Sequence, residues 1–298
     1  MTFIKSNIAN ILWCIIYILL TWIIVSAFVG TATFQTLFIV IMLYIISIAI
    51  ALSPAGEFLL KIIADVRPLK TQEEIEYIQP LFDEVYENAK ELYPKMNTNI
   101  KVHIVDAMVV NAFAVGRKTV ALYRGSVTTF TENELKGIIA HELGHLRYFH
   151  TEALLLSFVG NAIFSVLVLV LKIITNIIEF VCNLATNTNF VMNITFNVIL
   201  VLTKLIMNAV YIVFIYLSHI ILSLNSRSNE YQADDFAFQC GYGGELKSAL
   251  YILQKMSMSR KMSIKEKLFS SHPHIANRIQ RLENKLAEET NNTTVANM

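Results

Sequence analysis

Residues 131–146 read Thr-Glu-Asn-Glu-Leu-Lys-Gly-Ile-Ile-Ala-His-Glu-Leu-Gly-His-Leu. Thr131 and Glu134 have the spacing of a capping box, in which a hydroxyl and a carboxylate three residues on bond reciprocally to backbone amides, so a helix should begin here. Ile138, Ile139, Leu143 and Leu146 then recur at helical spacing and give that helix an apolar face. His141 and His145 stand one turn apart, close enough for both imidazoles to reach one metal ion. Glu142 is placed to take a proton from an attacking water. The plain alternative is a surface helix with two solvated histidines, and the packed apolar face argues against it.

A third ligand follows by elimination. A metzincin pattern requires Gly at 148 and His at 151, and the chain has Tyr148 and Thr151. His150 falls five residues beyond His145, which points it away from the His141/His145 face of a continuous helix. No inverted H-x-x-E-H order occurs. Glu230, in the stretch Asn229-Glu-Tyr-Gln-Ala-Asp234, completes a His-His-Glu set, with Asp234 one turn later. Such a set suits one Zn2+ per chain and leaves a fourth position open for water. Taken alone, Glu230 reads as a solvated helix carboxylate.

Composition sets the medium. Of 298 residues, 55% are hydrophobic and 16% charged, against about 25% charged in ordinary soluble domains, so part of the chain belongs in a lipid bilayer. The net charge of +1 argues neither for nor against nucleic acid, but with no basic cluster, no Gly-rich phosphate loop and no aromatic-interleaved basic stripe, no nucleic-acid partner is expected. Cys14, Cys182 and Cys240 are odd in number and far apart, which rules out a disulfide framework.

Outward from the motif, polar and apolar blocks alternate. No charge occurs from Ser6 to Gly56, and Gly30-Thr-Ala-Thr divides this stretch into spans near Ile8–Val29 and Phe34–Leu52. Residues 1–53 therefore read as a transmembrane hairpin. Residues 54–153 are polar in character. Glu73–Leu92 reads as an amphipathic helix with Ile75, Ile78, Phe82, Val85 and Ala89 on one face and a kink or restart at Pro80. Short strands follow at Ile100–Val105, Ala107–Val115 and Thr119–Tyr123. A second hairpin occupies 154–224: one span follows Glu152, and the other is placed at Leu205–Leu224, with Phe190–Thr203 either extending it or lying at the interface. Residues 225–285 form a helical region carrying Glu230, and 286–298 a disordered tail.

Lys5, the eleven Lys and Arg between 54 and 153, and the ten after 224 all fall on one side if there are four spans with both termini inside. The motif and Glu230 then share the cytoplasmic side, as one site demands. His103 and His219 read as structural.

With H-E-x-x-H, an Asn-Glu-x-x-Ala-Asp segment and a membrane hairpin between them, the sequence resembles the HtpX family of membrane zinc peptidases, relatives of the CAAX prenyl proteases. Asn111-Ala-Phe-Ala-Val-Gly116 is similar to the family's Asn-Ala-Phe segment, and Ser271-His-Pro-His-Ile-Ala-Asn-Arg278 to its His-Pro…Arg segment. Asn277 stands where the family often has a glutamate. The resemblance implies a zinc endopeptidase of the bacterial inner membrane, acting on membrane or misfolded proteins in stress-linked quality control. It implies that His141, His145 and Glu230 hold zinc while Glu142 serves as general base. Asn111, Ala112 and Phe113 would hold substrate backbone, His272 would stabilise the oxyanion, and Arg278 would pair with Asp234 to orient the Glu230 helix. The expected fold is mainly α, a four-span transmembrane protein with a cytoplasmic α+β domain of the zincin (gluzincin) type. A site-2 type protease, with its motif helix in lipid, is disfavoured because charged residues precede the motif. A non-catalytic scaffold would be expected to lack Glu142 or a ligand, and all four groups are present.

Overall fold

The computed structural model describes residues 2–96, 98–185, 190–258 and 275–296. In chain order the elements are α1 (Thr2–Val29), α2 (Phe34–Ala51), α3 (Pro54–Ile63), β1 (Val66–Pro68), α4 (Gln72–Leu92), β2 (Lys101–Val105), β3 (Ala112–Val115), β4 (Thr119–Tyr123), α5 (Arg124–Thr129), α6 (Glu132–Arg147), α7 (His150–Ala185), α8 (Phe190–Gln239), α9 (Gly243–Met258) and α10 (Ile275–Ala296). The chain divides into two compact units, one of Met1–Ile8, Ala49–Leu155 and Ser223–Met298, the other of Ala9–Ile48 and Leu156–Leu222.

The second unit is all helix. Among the described residues, Phe34–Ala51, Ala162–Cys182 and Ile194–Leu217 are long and apolar enough to cross a membrane, and Ile11–Ser26 is a shorter apolar stretch. These correspond to the four apolar segments of the sequence and make the chain a multi-pass membrane protein. The last apolar stretch starts well before Leu205, because Phe190–Thr203 continues the same helix. The charge that interrupts it, Lys204, forms an ion pair with Glu179 of α7, so neither is left uncompensated among apolar helices. Trp13, Tyr17, Tyr44, Phe164, Val168 and Phe214 form the core. The Phe214 ring receives Tyr17 edge-on at 4.7 Å and Phe164 at 3.8 Å.

The first unit carries the sheet, ordered β1-β2-β4-β3. The β2–β4 pair is parallel and the two outer pairs are antiparallel. β3 is therefore an edge strand, and α6 runs beside it. α4 begins on a reciprocal Thr71/Glu74 capping box and passes Pro80 unbroken, burying Ile78, Leu81, Phe82, Val85 and Ala89. Ile75, placed on that face by spacing, is exposed.

Several sequence expectations need correction. The strand expected at Ala107–Val115 starts only at Ala112. The Ala107 carbonyl instead accepts the Gly125 amide at 3.1 Å, and the backbone of Met108 and Val109 lies so close to Gly125 that a Cβ there would meet Val109 O at 2.5 Å. The loop is thus committed to the start of α5, a helix that the sequence did not suggest. The composition changes at 153/154 and 224/225, by contrast, are crossed by the uninterrupted helices α7 and α8 and do not mark element ends. The tail expected to be disordered is helical to Ala296.

Arg67, Glu74, Asp106 and Arg124 tie β1, α4, the 106–111 loop and α5 together. Glu74 Oε1 accepts from Arg67 at 2.7 Å and from Arg124 at 2.6 Å, and both arginines also bond Asp106. The Arg67 guanidinium holds the Glu74 carboxyl well below the usual carboxylate range, and the two arginines hold Asp106 at about 2. Both acids are therefore more readily protonated unfolded than folded. The stability they contribute is complete above their ordinary values of 4.5 and 3.8 and is lost as pH falls toward the folded ones. Arg67→Ala is expected to lower the melting temperature at neutral pH, with a gap from the parent that shrinks below pH 4.5. Thermal unfolding of the detergent-purified pair across this range checks it, and a constant gap would count against it.

Candidate metal centre

α6 starts on the Thr131/Glu134 capping box, with the Thr131 amide donating to Glu134 Oε2 at 2.9 Å. Ser248 of α9 donates to the other oxygen of Glu134 at 2.6 Å, which pins the start of the motif helix. Further along, Gly144 lets α8 approach closely: a Cβ there would stand 3.0 Å from Ala233 Cα and 3.1 Å from Phe236 Cβ. That approach brings Glu230 over the two histidines.

His141 Nε2 and His145 Nε2 are 3.1 Å apart, and the Glu230 carboxylate lies 3.5 Å from the first and 3.6 Å from the second. Donor atoms of these three residues all fall within 4.8 Å of one another. Three donors on a tetrahedral zinc with bonds near 2.1 Å sit about 3.4 Å apart, so the donor set fits that ion in spacing and in chemistry. Glu142, next to His141 on α6, is also buried.

Hydrogen bonds around the donor set orient its two histidine rings. His141 Nδ1 lies 3.0 Å from Asp234 Oδ1, where it donates, and Nε2 is turned toward Glu230 and His145. Arg278 of α10 forks onto Asp234, Nε to Oδ2 at 2.8 Å and Nη2 to Oδ1 at 2.6 Å, and its Nη1 reaches Glu230 Oε2 at 2.7 Å. Asp234 thus orients both the Glu230 helix and the His141 ring. Burial and the Arg278 charge press the His141 pKa down, but the bonds to Asp234 and Glu230 prevail and raise it to about 9. Burial, then the neighbouring His141, drives His145 well below its ordinary value.

His150 overturns the expectation that it points away. α6 ends at Arg147, Phe149 takes a left-handed conformation at φ 59°, and α7 begins afresh at His150. This break turns the His150 ring back onto the site, with its Nδ1 3.0 Å from His145 Nδ1 and its Nε2 3.4 Å from Gln232 Oε1. An amide oxygen only accepts, so His150 Nε2 carries the hydrogen and its Nδ1 accepts from His145. His145 Nε2 is then bare. Arg147-Tyr148-Phe149 contains no Gly, Asn or Pro to mark the break, so nothing in the sequence announces this contact. His150→Phe is expected to weaken zinc binding about 10–100-fold, the usual cost of losing such a partner. Competition with a chelating dye measures it, and parental affinity would show that the contact is incidental.

A match to peptidase family M48 covers residues 73–286, from the start of α4 into α10. The chain belongs to peptidase family M48. The "Protease HtpX homolog" of Campylobacter concisus (strain 13826) is 26% identical over 234 residues, covering 68% of this chain and 75% of that one. The "Protease HtpX homolog" of Helicobacter acinonychis (strain Sheeba) is 29% identical over 214 residues, covering 63% and 62%. Among solved structures, the crystal structure of S. mikatae Ste24p is similar with a TM-score of 0.48 and 19% identity, covering 89% of this chain and 61% of that one. The chain therefore spans less than two thirds of the length of the last two.

Within this M48 chain, Ala112 and Phe113 open the edge strand β3 and are half-buried, while Asn111 precedes it and is exposed. The Asn111 carbonyl accepts from the Tyr123 amide at 3.1 Å and from Ser126 Oγ at 2.7 Å, so its backbone is fixed. His272 lies outside the described residues. His103 is buried in β2, and the side chain of His219 also lies outside the described residues.

Proposed function

We propose that this M48 chain is a zinc-dependent endopeptidase that cleaves membrane or misfolded proteins at the cytoplasmic face of the membrane, in membrane protein quality control. The observation that supports it most is the buried His141/His145/Glu230 donor set, with each histidine's other nitrogen committed to a hydrogen bond. Zn2+ held there would supply Lewis-acid polarisation of the scissile carbonyl and acidify water at neutral pH.

The chain's own residues do the rest. The outer edge of β3 pairs with an extended substrate segment by strand addition, which reads backbone more than side chain and gives broad specificity. Asn111 to Phe113 lie along this edge. Glu142 takes the proton of the attacking water and returns it to the leaving amine nitrogen. His272 stabilises the oxyanion, a role resting on the family resemblance alone. Arg278 and Asp234 keep Glu230 and His141 aligned without touching substrate. The cytoplasmic placement is supported by the Lys and Arg distribution along the sequence.

Casein added to inside-out and right-side-out membrane vesicles tests activity and sidedness together. Cleavage is expected only with inside-out vesicles, abolished by a zinc chelator and restored by added zinc. Cleavage by right-side-out vesicles alone would reverse the orientation, and chelator-resistant cleavage would remove the metal.

A further inference from the structure

α3 is amphipathic in the wrong sense for a helix packed on a water-soluble domain. Ala55, Phe58, Leu59, Ile62 and Ile63 follow the i, i+3, i+4, i+7, i+8 spacing of a single face. That face points outward: Phe58 is 65% exposed, Leu59 56%, Ile62 59% and Ile63 69%. The inner face carries the charges. Lys61 and Glu57 pair at 3.1 Å, and Glu57 accepts from Thr119 Oγ1 at 3.0 Å and from the Arg117 amide at 3.5 Å. The turn it holds depends on Gly116, whose φ is 58° and where a Cβ would stand 2.7 Å from the Glu57 carboxyl carbon. In water, a continuous stripe of four large apolar side chains would be an aggregation surface.

Two further observations identify what covers the stripe. Only Leu52 and Ser53 separate α3 from Phe34–Ala51, a stretch able to cross a membrane, and Ser53 caps α3 by accepting the Gly56 amide at 3.3 Å. The helix therefore starts where the chain leaves lipid. Exposed Lys101, Arg117 and Lys118 gather around the turn that Glu57 holds, with the Lys101 amide on the Lys118 carbonyl at 2.8 Å. Apolar side chains bordered by cations match an anionic lipid surface, with the apolar stripe at the headgroup–acyl boundary and the Lys101 and Lys118 amines at the phosphates, while Arg117 also pairs with Glu152 at 3.2 Å.

We infer that α3 is an interfacial anchor whose outer face lies in the surface of an anionic bilayer, while its inner face, through Glu57, holds the β3–β4 turn at that surface. The lipid contact is independent of the peptidase reading. Its consequence, that the edge strand is presented to substrate segments lying at the membrane surface, rests on that reading.

Spin labels at Leu59→Cys and Ile62→Cys, in full-length protein with the native cysteines replaced and reconstituted in vesicles of phosphatidylethanolamine and phosphatidylglycerol, test the contact directly. Both labels are expected to be reached by oxygen and to lose access to a water-soluble nickel chelate, whereas a Lys118→Cys label stays open to the chelate. Chelate access at 59 and 62 equal to that at 118 would overturn the inference. Exclusion of both reagents there would overturn it too, since it would mean burial against a second copy or another protein. Should the cysteine-free chain not fold, Ile62→Trp in the native background serves instead: brominated acyl chains should quench the added emission, and quenching by iodide instead would overturn the inference. Cleavage is not read in either experiment, so failure here leaves the peptidase assignment untouched.

Discussion

Glu142→Gln is expected to reduce casein cleavage by at least about 100-fold while leaving one zinc per chain, because general acid–base groups contribute about 10²–10⁴-fold. The geometry makes this separation of chemistry from metal binding feasible. Glu142 projects from α6 between two residues that offer metal donors, and it is itself outside the donor set. Gln has nearly the same shape, so burial at 7% exposure is preserved and the helix has no reason to shift. What it removes is the ability to accept a proton at neutral pH. Cleavage by detergent-purified wild type and variant, with zinc quantified in each, reads both quantities at once. Loss of zinc along with activity would make Glu142 a structural member of the centre, and retained activity would assign the base elsewhere.

Arg278→Ala is expected to produce the second large effect, on stability and metal together. Its guanidinium sits between two buried carboxylates, Asp234 and Glu230, and burial opposes its charge while those two acids hold its pKa up. Removing one partner of a buried ion pair typically costs about 3–5 kcal/mol, because the remaining charge is stranded. Zinc affinity should fall as well, since Asp234 would no longer be held against the His141 ring. A companion variant separates the two effects. Arg278→Leu with Asp234→Leu removes the Arg278–Asp234 pair and should recover part of the melting temperature, Glu230 still lacking the guanidinium, while zinc binding stays weak. Recovery of both would show that the pair contributes packing rather than alignment.

How far the sequence reveals this site depends on how local each signal is. The motif helix is legible because its cap, its apolar face and its two histidines all lie within residues 131–146. Glu230 is legible by elimination, and Arg278 only through family resemblance, since nothing within a few residues of it indicates a partner 44 positions away. His150 is invisible for a physical reason: Phe149 adopts a backbone conformation that Gly favours, and an aromatic residue there gives no warning. β1 is three residues long and ends in Pro68, too short for any alternation to register. α3 is a further case. Its apolar spacing lies inside the block read from sequence only as polar, and the structure shows both the helix and which way its apolar face points.

The centre also imposes an order on synthesis. Arg278 meets His141 across 137 residues, and α6, α8 and α10 must all be present before the donors are aligned. A chain still emerging from the ribosome carries the histidines long before it carries the guanidinium that holds Glu230 and Asp234 together. The contacts that hold the donor set are therefore complete only in a chain that has reached α10.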